Sequence, residues 1–219
     1  MRTVLLSILS GWAAFSPVLG AETPAPADPF ADPLIKNVME MHAKAENGGD
    51  KKQTLDLIEF LEKATSEHPN NQLLRCYLGS AYTLRSRDIG FGPSALKYLK
   101  EGLKMMDAAV TAAPDNASVR FIRGTNNYML PAFVNRRDNA RADFKWLVDH
   151  IDKETTGFNA ETRQAIYYYA GLAFKQTRDY ALARTAWTKG RTVVRNGPLN
   201  EKIDAELAKL KDKGAGGAG

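Results

Sequence analysis

The chain has 219 residues, 30 Lys+Arg against 25 Asp+Glu for a formal charge of +5, and 44% hydrophobic residues. These ordinary globular values exclude a wholly disordered or collagen-like chain, and at this length about 70% of the unfolded surface goes inside on folding. The basic excess is mild and spread out, which argues against nucleic acid as a partner.

Residues 1–20, MRTVLLSILSGWAAFSPVLG, carry a positive start at Arg2, an apolar run to Phe15 and small residues ahead of Ala21. This is the pattern of a cleaved export signal, with cleavage expected after Gly20. The run is shorter than the ~20 apolar residues needed to span a bilayer, and Pro17 interrupts it. No later stretch approaches a membrane span. The expected product is therefore exported, periplasmic as first choice and secreted as second. Cys76 is the only cysteine, so no internal disulfide can form. It lies in the apolar helical run LLRCYLG and reads as a small buried hydrophobe.

Residues 21–33, AETPAPADPFADP, hold four of the ten prolines and read as a flexible tether. From 34 to 212 apolar positions recur at three and four, the period of helices, with no convincing alternating strand. The expected helices cover 34–46, 53–67, 71–86, 94–112, 116–130, 137–151, 160–177, 180–195 and 200–212. The tail 213–219, ending GAGGAG, is expected to be disordered. His42, His68 and His150 show no ligand spacing, and Met39, Met41 and His42 read as helix packing. No phosphate loop, metal motif or acid/base pair stands out. The reading is no enzyme, no cofactor and no metal.

Internal repetition is the strongest signal. Pro69-Asn70-Asn71 is followed by Leu74-Arg75 and Gly79; Pro114-Asp115-Asn116 is followed by Val119-Arg120 and Gly124 at identical offsets. A third copy has Ile166-Tyr167 and Gly171. With Ala170, Phe174, Tyr180, Ala183, Trp187 and Gly190, the copy from Gln164 to Arg195 resembles tetratricopeptide (TPR) repeats. Leu78-Gly79, Tyr82, Ala109 and Pro114 carry the likeness in the first copy, and Gly124, Ala140 and Phe144 in the second. The resemblance implies an all-α, right-handed stack of helix-turn-helix hairpins over 34–212, closed by a capping helix at 200–212. The family period is about 34 residues, so the first two copies carry insertions, placed at 86–94 and 130–139 on one edge. Arg120 and Arg123 stand where the family has large apolar residues. Asp143, Asp138 or Asp107 is expected to pair with them, as a structural staple or a binding site.

TPR arrays recognise peptides along a concave face lined by the first helix of each hairpin. Carried over, that lining is Cys76, Ser80 and Thr83, then Phe121, Thr125 and Tyr128, then Tyr168, Leu172 and Lys175. Phe121, Tyr128 and Tyr168 are the expected apolar anchors. The insertions add an edge of Phe91, Phe133, Arg136 and Arg137, with Arg85, Arg87 and Arg141 nearby. The resulting expectation is a non-catalytic adaptor or scaffold binding a protein or peptide partner in the cell envelope. The alternative is an accessory subunit of a transport system holding a small apolar molecule. The groove is either open or filled by the chain's own 21–33 or 200–212 segment. Oligomeric state is not legible.

Overall fold

The computed structural model describes residues 27–48, 50–153 and 156–215, with side chains to residue 210. The expected export signal, residues 21–26 of the tether and residues 216–219 of the tail lie outside the described residues. The described chain is helical: α1 (Pro33–Glu46), α2 (Lys51–Glu67), α3 (Gln72–Ile89), α4 (Pro93–Ala112), α5 (Ala117–Met129), α6 (Arg137–His150), α7 (Ala160–Gln176), α8 (Tyr180–Val193) and α9 (Asn200–Ala215). A 3-10 turn, Ala132–Val134, lies between α5 and α6.

The helices begin where side chains can take up their free amides. Asn71 accepts from the amides of Leu73 and Leu74, and Asn116 accepts from Val119. Both cap a helix in the same place within successive repeats, as does Asn159 on Thr162. The arginines of the repeat have a matching task. Arg75 donates to the carbonyl of Pro69 at 2.9 Å, and Arg120 donates to that of Pro114 at 2.7 Å. Each therefore ties its helix back to the turn that precedes it.

Packing follows the chain. α1–α2, α3–α4, α5–α6 and α7–α8 form four antiparallel hairpins, each resting on the next, and α9 caps the last against α8. The first helices also meet one another, α1 with α3, α3 with α5 and α5 with α7. Between α3 and α4 the approach depends on two facing glycines. A Cβ on Gly79 would stand 2.6 Å from the carbonyl oxygen of Gly102, so neither helix can carry a side chain there. In the last hairpin Trp187, fully buried, lies over Gly171, and its Nε1 donates to the carbonyl of Tyr168 at 3.0 Å. One continuous apolar core runs from Phe30 to Leu210 through all four hairpins.

Three boundaries differ from expectation. The first insertion is mostly helix: α3 runs on to Ile89, and only residues 90–92 turn before Pro93 opens α4. Gly90 and Gly92 at φ 92° and 111° allow that sharp reversal, and Pro93 suits a first helical turn. At the N-terminus the tether does not stay free over its last residues. Asp32 caps α1, and Phe30 is buried. At the other end α9 continues to Ala215, past the expected start of a disordered tail.

Candidate functional site

The concave face holds a cavity of about 800 Å³, within the range of natural ligand sites. α3 and α5 supply its floor with Tyr77, Ser80, Thr83, Ile122, Thr125 and Asn126; α1 supplies one wall through Met39, His42 and Ala43. Tyr169 of α7 lines it as well. The turns at 90–92 and 130–134 bring Phe91 and Phe133 to it. These two rings are 96% and 80% exposed. The two insertions thus reach the same opening, on one edge, as their positions between hairpin helices require.

Polar groups at the floor bond to each other. Thr83 donates to the carbonyl of Ser80 at 2.8 Å, so its oxygen is free only to accept. Asn126 therefore turns its Nδ2 to Thr83 Oγ1 at 2.8 Å and to Ser80 Oγ at 3.0 Å. Ser80 Oγ lies 2.8 Å from His42 Nε2. Burial, with help from Arg87, lowers the His42 pKa to about 4, so the ring is neutral and the tautomer sets the direction of its bond to Ser80. A Ser–His contact of this length is also the spacing of a nucleophile and its base. Here the base is too weak at neutral pH, and Ser80 is 2% exposed and held by Asn126 as well. The contact links α1 to α3 across the floor. Arg87 lies at the rim, donating to the carbonyls of Ala45 and Glu46 and to Asp88.

The chain itself closes part of the groove. Phe30 stacks face to face on Phe158 at 5.7 Å and meets Phe121 edge-on at 6.2 Å. Asn159 donates to Asp28 at 2.9 Å beside it. Tyr169 continues the aromatic row, 6.3 Å from both Phe121 and Tyr128 and 5.4 Å from Tyr168.

Of the expected groove residues, Ser80, Thr83, Phe121 and Thr125 come together in the cavity. Cys76 does not. It is fully buried between α3 and α5, its thiol against the Val119 carbonyl at 3.5 Å, and burial pushes its pKa up. Tyr128, Tyr168, Leu172 and Lys175 lie outside the cavity lining. Lys175 pairs with Glu206 of α9, so the capping helix occupies that end. Burial raises the Glu206 pKa, but the bonds to Lys175 and Lys209 outweigh it and hold the carboxyl below its usual range. Tyr169, one residue along, takes the place expected of Tyr168. His42, Asn126 and Tyr169 were not foreseen: Asn126 and Tyr169 each stand one residue from an expected groove position, and His42 lies on α1, where it read as helix packing.

The expected basic edge is largely consumed inside the molecule. Arg136 pairs with Asp107 and donates to Asn127 at 3.1 Å, and Arg141 pairs with Asp179 at 2.6 Å. Arg137 is exposed and makes no ion pair among the described residues. Arg120 and Arg123 both reach Asp143, whose side chain is 0% exposed, at 3.1 and 2.7 Å. Arg123 also meets Asp107 at 3.2 Å. Together these join α4, α5 and α6, and Asp138 has no part in it. The pairing is a staple, finished by Arg120 lying 4.7 Å from the centre of the Trp146 ring.

Among the described residues no group of three or more His, Cys, Asp or Glu is placed to hold a metal. No described helix is long and apolar enough to cross a membrane.

The crystal structure of TTC0263, a thermophilic TPR protein of Thermus thermophilus, superposes with a TM-score of 0.53, covering 81% of this chain and 90% of that one. The fold is a TPR hairpin stack. At 15% identity the likeness is one of architecture. No family model and no curated protein matches the sequence. The TPR architecture explains why the first helices α1, α3, α5 and α7 share the concave side, and why the cavity forms among them.

Proposed function

We propose that this chain is an exported, non-catalytic scaffold that receives an apolar segment of a partner protein in its concave groove. The observation that carries this reading is the pair Phe91 and Phe133. They come from different repeats, are almost fully exposed, and flank one apolar opening. Large aromatic rings held in water beside a concave pocket are the usual anchors of an interface. The lining favours binding over chemistry, because His42 is held neutral and Arg87 is tied to main-chain carbonyls.

The test is crosslinked capture from the host's envelope fraction, with wild type beside a Phe91→Ala, Phe133→Ala variant of unchanged circular dichroism. A partner held by wild type and lost by the variant is the expected result. Equal capture by both would refute the role of the two rings. A second reading, a small apolar molecule in place of a peptide, is favoured by Phe30. Its packing on Phe121 and Phe158 narrows the groove beside α7, and an extended peptide needs a groove open at both ends.

A further inference from the structure

We infer that the occupant of this cavity is a long, unbranched alkyl chain, as carried by a fatty acid or a lipid; this rests on the second reading of the site. Three observations lead to it. First, the cavity, about 800 Å³, is far larger than one side chain needs and is lined on several sides by flexible or aliphatic groups: Met39, Leu84, Leu99, Ile122, Met129 and Val134. Methionine and leucine adapt to a thin, mobile chain without fixing a rigid ring.

Second, much of the polar floor is engaged with itself, and the hydroxyls of Tyr77, Ser86 and Tyr169 are what the lining leaves for a ligand. Ser80, Thr83, Asn126 and His42 bond to one another. Thr125 Oγ1 and Asn126 Oδ1 have no partner, yet they are sealed below the surface where a water-sized group does not reach. A ligand hydroxyl or amide set against those two atoms would lose its hydration without replacement. An alkyl chain loses nothing of the kind. Third, the two charged groups of the lining, Glu46 and Arg87, come from helix ends, Glu46 the last residue of α1 and Arg87 in the last turn of α3. A polar head group would stay at that end, with the chain running inward past Tyr77 toward Phe121.

The measurement is displacement of 11-(dansylamino)undecanoic acid from the purified chain by straight-chain alcohols of increasing length, by hexadecanoic acid, and by phosphatidylglycerol vesicles. Each added methylene should tighten binding about fourfold until the chain outgrows the cavity. Ala43→Trp and Met129→Trp, both at exposed lining positions, should weaken binding at least tenfold with an unchanged melting temperature. Leu96→Trp, exposed on α4 outside the cavity, should bind as wild type. Displacement by hexadecanoic acid but not by vesicles identifies a free fatty acid, and extraction from vesicles identifies a lipid. Affinity independent of chain length overturns the inference, as does equal binding by the filled variants. If leucine-rich peptides displace the probe while alcohols do not, the alkyl proposal fails and the partner-protein reading stands.

Discussion

Replacing Gly171 by alanine gives opposite predictions for a free helix and for this packed one. On an exposed helix the change should stabilise by about 1 kcal/mol, since alanine loses less backbone entropy. Here the new Cβ would stand within 2.5 Å of three atoms of the Trp187 indole. The ring cannot easily yield, because it is fully buried and Nε1 is bonded to the Tyr168 carbonyl. Overpacking costs about 1–3 kcal/mol, and a displaced indole leaves its N–H unpaired for about 1–3 kcal/mol more. Against the propensity gain, the net expectation is a loss of about 1–5 kcal/mol. Urea unfolding of wild type, Gly171→Ala, Trp187→Leu and the double variant would measure it. In the Trp187→Leu background the glycine substitution should cost much less, giving a coupling on the order of 2 kcal/mol. A Gly171→Ala protein as stable as wild type, or more so, would refute the packing of α7 on α8.

Buried polar groups and the N-terminal segment set the remaining expectations. His42 has its pKa lowered in the folded state, so the unfolded chain binds the proton first. Stability should fall as pH drops from about 6.5 to 4, by about 3 kcal/mol for a shift of this size; His42→Gln should lack that fall in pH-dependent urea titrations. Asp143→Asn leaves Arg120 and Arg123 short of a buried partner and should cost on the order of 3 kcal/mol in thermal unfolding. Arg137→Ala, at an exposed side chain without an ion pair among the described residues, should change stability by less than about 0.5 kcal/mol. Phe30→Ala should lower stability by about 3 kcal/mol and open space beside Phe121; titration with a bulkier hydrophobic probe should show tighter binding than to wild type.

The hairpins were legible because every copy must solve the same contact: Gly79, Gly124 and Gly171 recur at one offset beneath a neighbouring helix. Asn71 and Asn116 were equally readable, since a cap is a local device. What escaped depended on distant partners. Gly102 matters only because Gly79 faces it, and it sits in an ordinary amphipathic helix. Arg136 read as a free docking charge, yet its carboxylate, Asp107, lies 29 residues upstream in α4. The exchange of Tyr168 for Tyr169 is a helix rotation of one residue, about 100°, which an all-aromatic YYY run does not resolve. The 86–94 insertion contains Gly90, Gly92 and Pro93, which mark a turn clearly but do not show that α3 extends up to it. The cavity itself was invisible, because α1, two separate turns and α7 close it together.

Binding on the concave side is the central claim, and it can be tested in living cells of the source organism. Photoreactive residues would be placed one at a time at Phe91, Phe133 and, as a control, Leu96 of α4, then activated by light. Crosslinks to one and the same species from positions 91 and 133, with none from position 96, are predicted. Crosslinking from position 96 alone would contradict the claim and move the binding surface to the second helices of the hairpins.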